Sequence, residues 1–203
     1  FQLAEHIETN DLREAERFYK QSLAASQEGL IVKNLDAAYQ PGRRVAGGWL
    51  KVKPVMETLD LAIIGATWGT GKRAGWFGSL VLGCRDAETG KFLNCGMIGT
   101  GIKEKKETES DITFQELTGI LKPNITEQHG SEVRLKPDVL VEVAYEEIQK
   151  SPDCESGVAL RFPRVVKFRP DRSVDECDTL ERIMRLYEMQ KGKLFQYEAC
   201  SSS

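Results

Sequence analysis

The run "LDLAIIGATW", residues 59–68, begins a series of apolar or alternating stretches that are rich in β-branched residues and bounded by turn signals. A helical pattern, "SDITFQELTGIL" at residues 110–121, lies between the third and the fourth stretch. Five strands with a helix in this position are typical of the OB-fold barrel, so we favour that fold over a sandwich. The other four predicted strands lie at residues 76–86, 91–100, 132–148 and 157–168.

The last helical pattern is "SVDECDTLERIMRLYEMQ", residues 173–190. Ser173 is suited to cap a helix here, and Glu176 follows three residues later, as in a capping box. We therefore expect one continuous C-terminal helix after the barrel. Its predicted buried face consists of Val174, Cys177, Leu180, Met184 and Tyr187.

The first 57 residues have a different character. An amphipathic helix is predicted from Asp11 to about Ala25, and strands are predicted for "EGLIVKN" and "WLKVK", the second of which ends at Pro54. A helix and two strands cannot bury a core alone, so this α/β segment resembles a remnant of a larger domain. The expected fold class is α+β, with the remnant followed by a five-stranded OB-fold barrel and a C-terminal helix.

The composition excludes several classes of protein. With 203 residues, of which 40% are hydrophobic and 29% charged, the chain is expected to be globular rather than disordered. No stretch approaches the ~18 consecutive apolar residues of a membrane-spanning helix, so we expect no membrane partner. Five cysteines without a C-x-x-C pair favour reduced thiols in a cytoplasmic protein. Neither histidine, His6 or His129, has a credible nucleophile nearby in sequence, which disfavours a serine or cysteine hydrolase.

Positive charge is concentrated locally although the net charge is −3. A nucleic-acid-binding face needs such local clusters rather than a positive total. The densest cluster is "LRFPRVVKFRPDR", which contains Arg161, Arg164, Lys167, Arg169 and Arg172.

A second basic segment, "GATWGTGKRAG" at residues 65–75, superficially resembles a phosphate-binding loop. It fails that pattern, because Thr70 stands where a glycine is required and Arg73 follows Lys72 where Ser or Thr should hold magnesium. We expect a loop between two strands that presents Lys72 and Arg73 to a DNA backbone phosphate, with a plain turn as the alternative.

The strand "WLKVK" places Lys51 and Lys53 on one face together with Trp49. Two ammonium groups roughly 7 Å apart repel each other unless they are solvated or share an anion such as a polyphosphate. Protection of an edge strand by exposed lysines remains the alternative.

Four stretches in this order and spacing, "EGLIVK", "WLKVKP", "LDLAIIG" and "ALRFPRVVKFRPD", together resemble ATP-dependent DNA ligases of the archaeal and eukaryotic replicative type. The resemblance covers nearly all of the chain, up to about Lys191. It implies a nucleotidyltransferase (adenylation) domain joined by a hinge to an OB-fold domain. Residues 1–57 would then be the C-terminal segment of the first domain, and residues 58–203 the OB-fold DNA-binding domain with its C-terminal helix.

The resemblance also implies roles for individual residues. Glu28 matches the acidic residue of the fourth motif and would help to hold Mg²⁺. Lys51 and Lys53 match the fifth motif and would contact the α-phosphate of ATP, which is retained as AMP. Lys33 closes the fourth motif, although a regular pleat puts it on the opposite face from Glu28.

The arginine-rich stretch matches the sixth motif, which the family swings over the nucleotide to orient the departing pyrophosphate. Asp60 lies at the hinge position. The implied catalytic residues are Lys51, Lys53, Arg169, Asp171 and Arg172. The implied cofactor-binding residues are Lys33, Lys51, Lys53, Arg161 and Arg164.

Two departures from the family pattern stand out. The family usually has lysine where this chain has Arg172, and a planar guanidinium is not equivalent to an ammonium at a phosphate. The nucleophilic lysine of the K-x-D-G motif is absent from the 203 residues. The chain therefore corresponds to a C-terminal portion of a ligase that we do not expect to form the enzyme-adenylate by itself.

The implied function is the sealing of nicks in duplex DNA during replication, repair and recombination. The implied partners are nicked double-stranded DNA, the missing N-terminal part of the adenylation domain and, through the complete protein, a sliding clamp. The expected location is the cytoplasm, at the nucleoid, in an archaeon or the nucleus in a eukaryote.

Two alternatives remain open. A non-enzymatic OB-fold module that binds single strands would need aromatic residues on its open face, and Trp68, Trp76 and Phe77 are candidates. A fragment of an RNA ligase or an mRNA capping nucleotidyltransferase would share the motifs, but the match through "LDLAIIGA" and "LRFPR" favours a DNA ligase.

Overall fold

The computed structural model describes residues 3–25, 27–38, 48–54, 56–108 and 111–190. These residues belong to two compact units, which divide between Val55 and Met56. The expected boundary after residue 57, and the assignment of the two parts to an adenylation domain and an OB-fold domain, stay predictions.

The first unit contains the helix and the two strands that the sequence predicts. The helix α1 spans Leu12–Ala24, and the Asp11 side chain caps it by accepting a hydrogen bond from the backbone N–H of Arg13. The strands β1, Leu30–Lys33, and β2, Trp49–Val52, form an antiparallel pair. Among the described residues from 3 to 54, none is buried.

The second unit is a sheet structure, and its described residues include the α-helices α2 at Phe114–Leu121 and α3 at Leu180–Glu188. Its strands are β3 (Leu59–Trp68), β4 (Phe77–Arg85), β5 (Phe92–Ile98), β6 (Ile125–His129), β7 (Glu132–Leu135), β8 (Leu140–Ala144), β9 (Glu147–Lys150), β10 (Val158–Arg161) and β11 (Arg164–Phe168).

Five of these strands form the main path of the sheet in the order β11-β8-β3-β4-β5, and every pairing is antiparallel. The two ends of the path meet, because the backbone N–H of Val165 donates to the carbonyl of Thr100 at 3.0 Å. Near the same seam, the N–H of Ser156 donates to the carbonyl of Asn94 at 3.1 Å. With α2 between the third and the fourth strand of the barrel, the predicted OB-fold is confirmed.

Two of the five predicted strands are wrong in extent, because each breaks at a turn. The stretch 132–148 forms β7, β8 and β9, with Pro137 between the first two strands. The stretch 157–168 forms β10 and β11, which Phe162 and Pro163 separate. The strand β6 was not predicted, because its side chains are mostly exposed and give no alternating apolar signal.

The prediction of one continuous C-terminal helix is also wrong. Ser173 and Glu176 do form a capping box, but it caps only a 3₁₀ turn at Val174–Glu176. The chain then extends, because the backbone N–H of Asp178 donates to the carbonyl of Asp60 at 2.8 Å. Thr179 caps α3 afresh, and the buried residues of α3 are Ile183, Leu186 and Tyr187.

The apolar core of the second unit fills the barrel and the space beneath both helices. Leu61, Phe77 and Phe114 are among its largest fully buried side chains. The four cysteines in the described part of the chain are free thiols, as expected, whereas Cys200 lies outside the described residues. No helix in the described ranges is both long enough and apolar enough to cross a membrane.

Candidate functional site

In the first unit, the structure brings together Glu28 and Lys51, for which the resemblance to the ligase family implies contacts with a metal ion and with the α-phosphate. The Nζ atom of Lys51 donates to Oε2 of Glu28 at 2.5 Å. Both side chains border a cavity of about 300 Å³, which is also lined by Gln27, Gly29, Leu30 and Ile31. Because an exposed ion pair contributes at most about 1 kcal/mol to stability, this contact is available for exchange with a charged ligand.

Gly29 explains how Glu28 reaches Lys51. Its φ of +131° breaks the regular pleat, and a Cβ atom at this position would lie 2.1 Å from the carbonyl oxygen of Val52. Only glycine tolerates this close backbone approach. The hydroxyl of Ser22 donates to the Gly29 carbonyl at 2.9 Å and holds the turn from the helix side.

The register of β1 and β2 alters the expectation for Lys33. Ile31 pairs with Lys51, and Lys33 pairs with Trp49. Directly paired residues share a face of the ribbon, so Lys33 lies on the same face as Lys51. The irregular turn at Gly29 then brings Glu28 to that face, contrary to the expectation from a regular pleat.

Lys33 and Lys53 occupy different surroundings from Lys51. The Nζ atom of Lys33 lies 4.1 Å from the centroid of the Trp49 ring, which is the geometry of a cation–π contact. Lys53 follows the end of β2 and is half-buried. The described contacts therefore group Glu28 with Lys51, whereas Lys33 contacts Trp49.

In the second unit, Arg169 is enclosed by carboxylates. Its Nε and Nη2 atoms donate to the two oxygens of Asp171 at 3.2 and 3.1 Å, and Nη1 donates to Glu142 at 3.4 Å. Nη1 also lies 3.8 Å from Oδ1 of Asp60, and the Arg169 side chain is only 15% exposed. The hydrogen bond from Arg169 lowers the pKa of Asp171.

Arg172 contacts the same aspartate from a more open position. Its Nη1 atom donates to Oδ2 of Asp60 at 2.6 Å, and its side chain is 39% exposed. The backbone N–H of Asp60 donates to Oδ2 of Asp178 at 2.8 Å, and burial raises the pKa of Asp178. The structure thus brings the predicted catalytic residues Arg169, Asp171 and Arg172 together around Asp60.

The other two arginines of this segment lie apart from that cluster, near the start of β11. Nη1 of Arg161 bonds Oε2 of Glu147 at 3.1 Å. Arg164 is exposed and forms no ion pair with any residue in the described part of the chain. The predicted set therefore divides into two groups at opposite ends of a five-residue strand.

Phe162 is a functional candidate that the sequence analysis missed. It is the one residue other than glycine in the described ranges with a positive φ, +50°, and its side chain is 65% exposed. The guanidinium of Arg161 lies 5.1 Å from the centroid of its ring. An aromatic residue before proline, between two strand patterns, was the signal that would have indicated an exposed turn.

The predicted loop of Lys72 and Arg73 is confirmed as a connection between β3 and β4, with a 3₁₀ turn at Gly71–Arg73. It borders a cavity of about 460 Å³ lined by Trp68, Gly69, Thr70, Lys72, Arg73, Gly78 and Glu104. Arg73 bonds Glu104 at 3.2 Å, and its guanidinium lies 4.1 Å from the centroid of the Phe114 ring. Lys72 is exposed and forms no ion pair with the residues described, so it is the more available cation.

The aromatic residues proposed for single-strand stacking do not form an open platform. Phe77 is 1% exposed, and its ring lies 4.4 Å from that of Trp68, centroid to centroid. Trp68 and Trp76 are partly buried and pack against the core. Their burial removes the observation that supported this alternative.

Comparisons with known proteins connect both units to one family. The family model described as "ATP dependent DNA ligase domain" matches residues 1–53, and the one described as "ATP dependent DNA ligase C terminal region" matches residues 73–172. The chain is 54% identical over 191 residues to a DNA ligase of Nanoarchaeum equitans, and the match covers 94% of this chain and 34% of that protein. It is 46% identical over 188 residues to a DNA ligase of Archaeoglobus fulgidus, with 93% and 32% covered.

A solved structure titled "Pmar-Lig_Pre." has the same fold, with a TM-score of 0.52 at 24% identity, and the match covers 78% of this chain and 30% of that one. The chain thus spans about a third of the length of the curated relatives it matches.

Proposed function

The chain belongs to the family of ATP-dependent DNA ligases, and from that premise we propose that the complete protein seals nicks in double-stranded DNA. The observation that supports this most directly is the convergence of Glu28 and Lys51 on one cavity. The pair supplies a cation for a phosphate and a carboxylate for a divalent metal ion. The reaction would use ATP, retained as AMP on the enzyme.

The reaction consists of three transfers at phosphorus. A lysine from the preceding part of the domain attacks the α-phosphorus of ATP, and pyrophosphate leaves. The bound AMP then passes to the 5′-phosphate of the nick, and the lysine recovers its amine. Finally the neighbouring 3′-hydroxyl attacks that phosphate, and AMP leaves as the DNA strand closes. Each step concentrates negative charge, so positioned cations supply most of the stabilisation.

Lys51 would stabilise the α-phosphate, and Lys53 would act beside it at the end of β2. For Mg²⁺, Glu28 is a fitting ligand, because this ion is commonly held by one or two carboxylates together with substrate phosphates. The ion would neutralise charge on the phosphates when bound. Release of Lys51 from Glu28 would then accompany binding of the nucleotide.

The second unit would supply the sixth-motif residues and the grip on DNA. Arg172 has N–H groups on the surface and would contact the departing pyrophosphate, and Arg161 and Arg164 would assist at the nucleotide. Lys72 and Arg73 would contact the DNA backbone, with Lys72 contributing most because Arg73 is held by Glu104. Phe162 would add an apolar contact to the duplex at the β10–β11 turn.

The preceding part of the adenylation domain would cover the apolar side chains that the first unit exposes. Ile31, Val32, Trp49 and Leu50 are all exposed on the β1–β2 ribbon. A sliding clamp would bind through other parts of the complete protein. We propose that the protein acts in the cytoplasm, at the nucleoid, where its DNA substrate would lie in a cell without a separate nucleus.

The decisive test uses the full-length protein with Lys51→Ala. We expect nick sealing under single-turnover conditions to fall on the order of 10²-fold or more, because a cation at the reacting phosphate is lost. Lys53→Ala should give a loss of similar kind. Lys20→Ala, which removes an exposed lysine from α1, is the matched control and should seal like the parent. Near-parental sealing by both Lys51→Ala and Lys53→Ala would refute the assignment.

A second test addresses the DNA-binding role of the second unit. Affinity of this chain for nicked duplex should fall steeply with salt, because counterions are released from the backbone phosphates. Lys72→Ala should reduce the slope of log K against log salt by about 1, whereas Lys20→Ala should leave it unchanged. Binding that is insensitive to salt would contradict this role.

A further inference from the structure

The sixth-motif arginines Arg169 and Arg172 are paired with carboxylates of the second unit. Arg169 and Arg172 face three carboxylates, from Asp60, Glu142 and Asp171, at distances between 2.6 and 3.8 Å. Thr58 adds a hydrogen bond of 2.9 Å to Glu142. Two guanidinium groups against three carboxylates leave this cluster without an excess of positive charge. A net positive charge on this cluster therefore does not explain how these arginines would bind a triphosphate.

The two arginines differ in the donors they have left. An arginine has five N–H donors in a fixed plane. The three nitrogen atoms of Arg169 all donate to carboxylates, and the side chain is largely buried. Arg172 is engaged through Nη1 alone in the described contacts, and more than a third of its side chain is exposed. Arg172 is the one that can contact a phosphate without dismantling the cluster.

Asp60 is fixed more firmly than a surface carboxylate. Its backbone N–H and carbonyl both bond Asp178, and it pairs with Glu142 between β3 and β8. Its Oδ1 atom is buried and accepts no hydrogen bond from the described residues. Oδ2 accepts the hydrogen bond from Nη1 of Arg172, whereas Oδ1 has only an ion-pair contact of 3.8 Å with Nη1 of Arg169. A rigidly held acceptor of this kind sets the direction of the guanidinium plane.

We propose that Asp60 is a positioning residue for Arg172, which holds the guanidinium so that its remaining N–H groups meet the phosphates of the bound nucleotide. This inference rests on the proposed function. It also accounts for the arginine that stands where the family usually has lysine. A planar fork must be oriented to be useful at a phosphate, whereas a compact ammonium with rotatable donors needs no such support.

The test measures formation of the enzyme-adenylate from ATP in single-turnover experiments with the full-length protein. Asp60→Ala should lower the rate constant at saturating ATP on the order of 10- to 100-fold, because the reacting groups are held less accurately. The affinity for nicked duplex should stay within about twofold of the parent, since backbone contacts elsewhere determine it. Glu57→Gln is the matched control, because it removes an exposed carboxylate that pairs with Arg182 at 3.4 Å and leaves the Asp60 cluster intact.

A double-mutant cycle separates positioning from mere structural support. In the Arg172→Lys background, Asp60→Ala should cost less than about threefold, because contacting residues couple and the ammonium has no plane to orient. Asp60→Asn retains the shape and an acceptor oxygen, so it should recover much of the rate. If Asp60→Ala is unfolded in a thermal melt, Asp60→Ser takes its place in the cycle, because it keeps a small polar side chain but lacks the carboxylate that would orient Arg172.

Equal losses in the Arg172 and the Arg172→Lys backgrounds would overturn the positioning role, as would an Asp60→Ala protein as fast as Glu57→Gln. The proposed function fails in a different way. If the parent full-length protein forms no adenylate with ATP, the ligase proposal falls and this inference falls with it. If the parent is active and only the Asp60 effect is missing, the ligase proposal stands.

Discussion

The described residues of the first unit and those of the second unit differ in whether their apolar side chains are buried. The second unit buries a core in which Leu61, Phe77 and Phe114 are at most 2% exposed. The first unit buries none of its described residues, and Trp49 and Leu50 are 61% and 60% exposed. Since a single helix and a two-stranded ribbon do not stabilise each other alone, the second unit should fold by its own contacts and the first should depend on a covering surface.

The largest effect should come from the core of the second unit. Phe114→Ala should lower the free energy of unfolding by about 3–5 kcal/mol, because it removes a buried ring and leaves a cavity. Leu50→Ala in the first unit should change it by no more than about 0.5 kcal/mol, as for an exposed position. Urea unfolding of this chain, followed by far-UV circular dichroism, measures both. Comparable losses from the two substitutions would show that the first unit shares a cooperative core.

A pair of glycines provides a matched steric test of intermediate size. In the first unit, a Cβ atom added to Gly29 would lie 2.1 Å from the carbonyl oxygen of Val52. In the second unit, a Cβ atom added to Gly101 would lie 2.1 Å from the carbonyl oxygen of Val165. Both glycines have a positive φ. Gly101→Ala should lower the unfolding free energy of the second unit by about 1–3 kcal/mol, because it strains the seam beside Val165.

Gly29→Ala should leave that unfolding transition unchanged but should reduce adenylate formation in the full-length protein, because it displaces Glu28 from Lys51. A common loss of unfolding free energy in both variants, measured in the same urea titration, would remove the distinction between the two units.

The smallest effect concerns the caps of the helices. The backbone N–H of Thr113 bonds the carboxylate of Glu116 at the start of α2 and lowers the pKa of Glu116 below its ordinary value of 4.5. A lowered folded pKa stabilises the protein above the unfolded value, and this contribution is lost as pH falls through the folded value.

Glu116→Gln should therefore reduce the acid sensitivity of the melting temperature between neutral pH and about pH 3. Glu16→Gln on α1 should leave the pH dependence of that melting temperature as it is in the parent, because Glu16 takes no part in the cap of α1. A full parental acid dependence in Glu116→Gln would argue against the capping role.

Local signals explain how much of the fold the sequence could predict. The helices α1 and α2, both strands of the first unit and the position of α2 after the third barrel strand follow from periodicity, caps and turn residues. The extended break at Asp178 could not be predicted, because its cause is a backbone contact with Asp60, which is 118 residues away in the chain. Tertiary contacts of this kind override a strong helical pattern.

The candidate site was predictable only in part for a similar reason. The resemblance to the ligase family implied roles for Lys51, Glu28 and the arginines, but it did not indicate which of these side chains contact one another. Glu28 reaches Lys51 because Gly29 breaks the pleat, and a regular alternation gives the opposite face. The carboxylates around Arg169 belong to Asp60, Glu142 and Asp171, which lie in three separate segments of the sequence. No local sequence pattern could therefore predict this cluster.

The bond between Asp60 and Arg172 joins residues 112 positions apart. During synthesis Asp60 leaves the ribosome long before Arg172 has been made, and β3 also lacks its later partners β7 and β8 at that stage. Such distant pairings are slow to form, because the chain loses the entropy of closing a long loop before any contact lowers its free energy. Part of the first barrel strand is therefore left unpaired in the nascent chain, where it can aggregate, until the segments that pair with it have been synthesised.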